Sequence, residues 1–209
     1  MNSNSELIQK LIFDKILITP QIIDAFEAVD RKDFVSPDDQ DRAYEDRPLP
    51  IGYGATISQP TTVAIMLEKL FEGDTSISLG ASKILEIGTG SGYMTALLAK
   101  IAGENGSVFS VEYISELKEF AESNFKKYNF RNISLFVGDG KVGLKDYVPF
   151  DKIISSASGD EIPKAWREQA GIGGRIVVPI AQDLVVLEKL SKRKFKEEKI
   201  PGFVFIPLQ

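Results

Sequence analysis

The sequence predicts an α/β fold built on a doubly wound, mostly parallel sheet of about seven strands, and three observations carry that prediction. Short apolar runs rich in β-branched residues alternate with helix-periodic segments from residue 83 onward, the pattern of successive βα units. The first run, Lys83-Ile84-Leu85-Glu86-Ile87, leads into Gly88-Thr89-Gly90-Ser91-Gly92. A helical segment follows, with Met94, Leu97, Leu98 and Ile101 on one face. Glycines there let the backbone turn sharply and let a ligand lie against it without meeting a Cβ. The second run, Ser107 to Glu112, ends in a carboxylate 20 residues after Gly92. A nucleoside-binding α/β fold places an acid at that distance for ribose hydroxyls; an ordinary strand-end Glu is the other reading.

Taken in order, residues 5–18 set Leu7, Ile8, Leu11 and Ile12 at helical spacing and predict a short amphipathic helix. Thr19-Pro20 reads as an N-cap followed by Pro at the first helical position. It opens a second helix with Ile22, Ile23, Phe26 and Val29 inward. Both helices read as packing elements. Val35 to Gly54 has no sustained periodicity, but Tyr44, Leu49, Ile51 and Tyr53 anchor it, so it reads as an ordered loop. Ser58 stands where it caps a helix starting at Pro60 and carrying Val63, Ile65, Met66 and Leu70. Glu72 to Ser82 reads as a polar linker into the strand at 83–87.

After the helix ending near Ala102 and a turn at 103–106, the strand at 107–112 is followed by an amphipathic helix over 114–128. Its inward residues are Leu117, Phe120, Ala121 and Phe125. Ile133 to Val137 is the third strand, with Gly138-Asp139-Gly140 directly behind it. Residues 150–156 make the fourth strand, 163–169 a short helix whose Trp166 reads as a packing residue, and 173–179 the fifth. Leu184 to Leu190 and Phe203 to Ile206 make later strands. Ser191 to Lys199 holds five basic and two acidic residues. Lysines guarding a hairpin or edge strand explain it better than a nucleic-acid patch, which calls for interleaved aromatics and a basic chain. The 209 residues fit one domain. Within it, 1–75 supply helices and a loop, and 76–209 the α/β core.

Composition excludes whole classes of chemistry. The chain has neither cysteine nor histidine, so a His- or Cys-ligated metal, a Ser-His-Asp triad and imidazole base catalysis are out of reach. An apolar fraction of 43% and a net charge of −5 are ordinary for a globular protein and argue against a dedicated nucleic-acid binder. No apolar run approaches the roughly 20 residues of a membrane span, and residues 1–20 carry no secretory pattern, so the expected location is the cytoplasm.

The glycine turn narrows the ligand. It lacks the Lys-Ser/Thr of a P-loop, and its spacing is GxGxG, not the GxGxxG of dinucleotide binders. Glu86, two residues before the first glycine, would repel pyrophosphate but not a zwitterionic cation. Glu86 to Gly92 resembles the E-x-G-x-G-x-G pattern of class I S-adenosylmethionine-dependent methyltransferases. A Gly-rich connector beside a solvated Glu is the alternative.

A longer stretch is more specific. Ala43-Tyr-Glu-Asp-Arg-Pro-Leu-Pro-Ile-Gly-Tyr-Gly-Ala-Thr-Ile-Ser-Gln-Pro60 resembles the signature loop of protein-L-isoaspartate O-methyltransferases, whose usual wording is close to AYEDRPLPIG-x-GQTISQP. Val29 to Val35 resembles that family's VPR-x-x-FV, with Asp30 where Pro is usual, and Phe203 to Leu208 resembles its RFVPL. Ala55 replaces the usual Gln. Thr61-Thr62 stand where a bulkier pair is common. Ser155-Ser156-Ala157-Ser158 is more polar than the family's alanines.

The resemblance implies a Rossmann-like methyltransferase sheet with an N-terminal helical and loop extension that binds substrate. It implies S-adenosylmethionine as methyl donor, S-adenosylhomocysteine as product, and isoaspartyl residues of age-damaged proteins as substrate. Neither nucleic acid nor membrane is an expected partner. Ser58 corresponds to the active-site hydroxyl. The cofactor-binding set it implies is Thr56, Ile57, Ser58, Glu86, Ile87, Gly88, Thr89, Gly90, Ser91, Gly92, Glu112, Tyr113, Gly138, Asp139 and Gly140. Within that set, Glu86 lies near the donor's ammonium or holds the turn, Glu112 takes the ribose and Asp139-Gly140 the adenine. Ile51, Gly52, Tyr53, Gly54, Ala55 and Thr56 form the substrate side. A non-catalytic S-adenosylmethionine binder, or a relative acting on another carboxylate, stays open as an alternative; a nicotinamide-dependent oxidoreductase is disfavoured by the glycine spacing and Glu86.

Overall fold

The N-terminal part builds three helices and a hairpin: α1 (Asn4–Phe13), α2 (Pro20–Ala28), β1 (Leu49–Gly52), β2 (Ala55–Ile57) and α3 (Pro60–Phe71). In this computed structural model residues 1–74, 81–203 and 205 are described. Helix α1 is shorter than its apolar spacing suggests. The chain leaves it at Lys15, whose φ is 59°, and the amides of Ile16 and Leu17 both return to the Leu11 carbonyl. Leu17 is therefore buried, while Ile12 is turned out to solvent. Thr19 holds the N-cap position of α2 without capping it through its side chain. Its hydroxyl instead donates to Glu68 of α3, which also accepts from the amides of Ile18 and Thr19.

Two expectations for this region are corrected. The segment read as one loop over 35–54 contains a 3-10 helix at Pro37–Arg42 and then β1, which pairs antiparallel with β2. Its prolines and glycines hide the strand pattern. Ser58 does not cap α3. Gln59 holds the cap position with no side-chain bond, and Asp46 accepts from both the amide and the hydroxyl of Thr61, at 2.9 and 2.6 Å. A carboxylate at a helix N-terminus also meets the positive end of the helix dipole.

The remainder alternates strands and helices: β3 (Lys83–Ile87), α4 (Tyr93–Ala102), β4 (Ser107–Glu112), α5 (Ser115–Phe125), β5 (Ile133–Val137), β6 (Phe150–Ser155), α6 (Lys164–Gln169), β7 (Ala170–Ile180), β8 (Asp183–Lys189) and β9 (Phe195–Pro201). They form a seven-stranded sheet in the order β5-β4-β3-β6-β7-β8-β9. The first five in that order run parallel, and β8 and β9 return antiparallel. The basic stretch at 191–199 thus spans the β8–β9 turn and the edge strand β9, as its lysines suggest. The late strand expected at 203–206 falls partly outside the described residues. Phe203 and Phe205 are not in a strand.

Alternation along the strands divides the core. Ile84, Ile154 and Val177 face the N-terminal helices and α4, in a cluster that runs from Leu7 to Phe203. Leu85, Ile153 and Ile176, one position on or back, pack with Trp166 in a second cluster. This two-sided burial is what parallel sheets require. Strand order reverses at β3, which lies between β4 and β6. Ligand crevices in such sheets open at the carboxyl ends of strands beside this reversal.

Candidate active site

A cavity of about 500 Å³ lies at that point, lined by the ends of β3, β4 and β6 and roofed by the β1–β2 hairpin. Ile87, Gly88 and Gly90 form one wall, and Val111 to Ile114 a second. Gly88, Gly90 and Gly92 all have positive φ (88°, 54° and 85°), a conformation that any Cβ would strain. They do different work, however. Gly88 and Gly90 line the cavity, whereas a Cβ on Gly92 would fall 2.6 Å from the Phe125 ring, on the side of α5.

The two strand-end acids also diverge. Glu112 lines the cavity. Its Oε2 accepts from the Gly90 amide at 2.8 Å and its Oε1 from the Ile114 amide at 3.0 Å. These bonds lock the glycine turn to the end of β4 and fix both oxygens at the cavity wall. Glu86 is fully buried away from the lining, and Thr95 Oγ1 donates to its Oε2 at 2.5 Å. Its Oε1 has no partner. Burial, outweighing the nearby Ser110 and Thr95 hydroxyls, pushes the Glu86 carboxyl up to about 8. Thr89 lies behind the turn as well, sharing a hydrogen bond with Ser110. Through Thr95, Glu86 ties β3 to α4 beneath the turn.

The hairpin contributes Tyr53, Gly54, Ala55 and Thr56, and Ser58 and Gln59 follow from its exit. Tyr53 and Gly54 both have positive φ (53° and 74°), as the two central residues of a type I′ turn must. Behind it stands Arg31, fully buried. Its Nε donates to the Ala43 carbonyl at 2.9 Å and an Nη to that of Arg47 at 3.3 Å. Its guanidinium lies 5.4 Å from the centre of the Tyr93 ring. Desolvation lowers its pKa to about 10, still a cation at neutral pH. Tyr44 donates to Asp30. The Val29–Val35 and Ala43–Arg47 motifs are therefore two halves of one brace, which presents the hairpin to the glycine turn.

Beyond the end of β5, Gly140 lines the cavity. A Cβ there would come within 2.4 Å of Ile87 Cγ2, so glycine is required for the close approach. Asp139 is exposed, and its carboxylate accepts from the Lys141 amide, opening a short 3-10 turn.

The sequence profile of the family "Protein-L-isoaspartate(D-aspartate) O-methyltransferase (PCMT)" matches residues 2–209. The chain belongs to the protein-L-isoaspartate O-methyltransferase family. A protein of that name from Methanothrix thermoacetophila is 40% identical over 196 residues, 91% of this chain and 89% of its own length. One from Fervidobacterium nodosum is 41% identical over 197 residues, covering 92% and 95%. A Plasmodium falciparum protein assigned to the same enzyme class, crystallised with S-adenosyl-L-homocysteine, shares the fold: TM-score 0.85 over 100% of this chain and 99% of that chain, at 22% identity.

Set against the residues expected from resemblance to this methyltransferase family, the cavity gathers most but not all. Tyr53, Gly54, Ala55, Thr56, Ser58, Ile87, Gly88, Gly90, Glu112, Tyr113 and Gly140 line it. Glu86, Thr89, Ser91 and Gly92 lie in or behind the turn, and Ser91 offers its carbonyl to Asn124. Ile51 and Ile57 are buried beneath the hairpin, while Gly52, Gly138 and Asp139 are outside the lining. Sequence reasoning missed Pro48, Gln59, Thr62, Val111, Ile114, Leu117, Ser156, Ala157 and Phe205. Periodicity assigns Leu117 to the core, and only its place in the first turn of α5 puts it at the cavity edge. Ser156 and Ala157 were detectable as the polar end of the fourth strand.

Proposed function

We infer that this chain transfers a methyl group from S-adenosylmethionine to the α-carboxylate of L-isoaspartyl residues, with the cavity at the carboxyl ends of β3, β4 and β6 as the site. One observation supports the placement above others. The family's signature hairpin and the glycine turn line the same cavity, with Ser58 on one side and Gly88, Gly90 and Glu112 on the other. The donor set suits the cofactor. Glycine backbone lies open to a chain, and an acid with two fixed oxygens suits a diol. Gly140 admits a flat ring close to the backbone.

When bound, S-adenosylmethionine supplies an electrophilic methyl on a sulfonium. The substrate carboxylate is ionised at neutral pH, so the chain has no proton to remove. What its residues do is position and desolvate. Glu112 holds the ribose end. Gly88 and Gly90 give the methionine end room. Ser58 donates a hydrogen bond that orients the carboxylate or the donor. The backbone of the hairpin, from Ile51 to Thr56, receives the substrate in extended form, which suits a target defined by its main chain. Residues 1–75 are then the substrate side and 76–209 the cofactor side of one domain. Catalysis by positioning suits a chain without histidine or cysteine. The methylated product then leaves, and attack by the neighbouring backbone amide nitrogen on the ester carbonyl expels methanol and gives the succinimide without further help from the protein.

Isoaspartate-bearing proteins are the partners of this reading, with neither nucleic acid nor membrane required, and the cytoplasm is the proposed location. No helix among the described residues is long and apolar enough to cross a membrane. Methyl transfer from labelled S-adenosylmethionine to matched isoaspartyl and aspartyl peptides tests the reading. Base-labile label on the isoaspartyl peptide alone is expected. S-adenosylhomocysteine binding with neither peptide labelled would leave the fold and remove the repair activity.

A further inference from the structure

Gly140 is held from outside the cavity by the chain's single tryptophan. Trp166 is fully buried in α6, within the second core cluster. Its indole N–H donates to the Gly140 carbonyl at 2.8 Å. One helical turn on, Gln169 clasps the same loop: its Nε2 donates to the Val142 carbonyl and its Oε1 accepts from the Leu144 amide. No side chain fits at Gly143, where a Cβ would lie 2.2 Å from Gln169 Oε1. The helix is itself pinned. The buried Lys189 ammonium, from β8, donates to the carbonyls of Arg167, Glu168 and Ala170 at its C-terminal end. A cation there also meets the negative end of the helix dipole. A continuous polar path therefore runs from β8 through α6 to one wall of the cavity.

We propose that Trp166 is a positioning residue for the adenine end of the cofactor, setting the Gly140 backbone through its indole N–H. The proposal rests on the reading that S-adenosylmethionine occupies this cavity with its adenine against Asp139-Gly140. Ile87 Cγ2 leaves no room for a Cβ on Gly140, and the indole holds the Gly140 carbonyl. The peptide that faces the ligand thus has little freedom of its own. Trp166 touches neither the reacting carboxylate nor the donor's sulfur end, so its loss should act on cofactor affinity and leave the transfer step alone.

The test uses the full chain. Trp166→Phe keeps an aromatic ring in the core and removes the N–H. Calorimetric titration with S-adenosylhomocysteine should show affinity weakened about five- to tenfold, the effect of leaving one buried carbonyl unpaired. KM for S-adenosylmethionine should rise in parallel, with kcat and the peptide KM within about twofold of wild type. A merely structural role would lower the unfolding temperature without that split. Wild-type S-adenosylhomocysteine affinity in folded Trp166→Phe overturns the proposal.

Where Trp166→Phe does not fold, the wild-type protein still decides. Trp166 is its only indole, so binding of adenosine alone, followed by calorimetry, should change its fluorescence. Binding without any change in emission overturns the proposal. Glu112→Gln separates the two readings. Weakened binding there with none in Trp166→Phe removes only the role of Trp166. Unchanged binding in Glu112→Gln removes the cavity assignment, and the proposal with it.

Discussion

At the scale of single residues, the two strand-end glutamates show how little a residue type reveals without its surroundings. Both close a parallel strand, yet Glu112 faces the cavity while Glu86 is buried against Thr95. Sequence spacing made Glu112 legible as a candidate, because nucleoside-binding sheets of this kind carry an acid at that distance. Nothing in the spacing told whether Glu86 points to ligand or to core. The difference is measurable. The Glu86 carboxyl moves from its ordinary 4.5 to about 8 on folding. The folded state therefore holds an extra proton between those values, and stability falls as pH rises from about 4.5 to 8 and then levels off. Glu86→Gln is neutral throughout. Its urea-unfolding stability should lie near wild type at pH 5 and exceed it at pH 8.5 by on the order of 3 kcal/mol. Parallel pH curves for the two proteins would refute this. At the cavity, Ser58→Ala should lower kcat on the isoaspartyl peptide about tenfold while S-adenosylhomocysteine affinity stays within twofold. Glu112→Ala should do the reverse, raising KM for S-adenosylmethionine at least tenfold, since it removes the acceptor for the Gly90 and Ile114 amides as well.

At the scale of elements, the strands of the large sheet were legible because burial on both faces demands runs such as Ile84 to Ile87 and Ile153-Ile154, which periodicity detects. The hairpin was not. Pro50, Gly52 and Gly54 are turn and breaker residues by composition, and the two strands of the hairpin hold only four and three residues. Nor was the cap of α3, because its acceptor, Asp46, lies 15 residues before Thr61. Asp46→Ala should destabilise the protein by about 1–2 kcal/mol in urea unfolding, with Asp46→Asn retaining part of it. The glycine turn divides by element too. Gly92 meets α5, so Gly92→Ala should lower stability by about 2–3 kcal/mol. A Cβ on Gly88 has space, its nearest neighbour being Ser156 Cβ at 3.8 Å. Gly88→Ala should unfold only about 1 kcal/mol more easily but lose S-adenosylhomocysteine affinity. Similar ratios of stability loss to affinity loss at the two positions would contradict that division.

At the scale of the whole molecule, cofactor binding and folding are linked. S-adenosylhomocysteine at about 100 times its Kd should add ~2.7 kcal/mol and raise the unfolding temperature by about 5–10 °C, whereas NAD should leave it unchanged. A shift with NAD would count against the cavity as described. What stayed illegible at this scale was Arg31. A sequence marks arginine as a surface residue, but here Arg31 is fully buried, with its guanidinium against the Tyr93 ring. The cover for that brace comes late in the chain. Phe34 packs against Tyr93, Phe125 and Tyr128, and Tyr128 also donates to Asp33. On a translating ribosome the first helices and the hairpin would emerge with their lid still unsynthesised. The guanidinium would stay hydrated until α4 and α5 had left the exit tunnel. The segment made first thus waits for residues 93–128 before it is sealed, and a nascent chain stalled before Tyr93 should leave its first 74 residues open to protease.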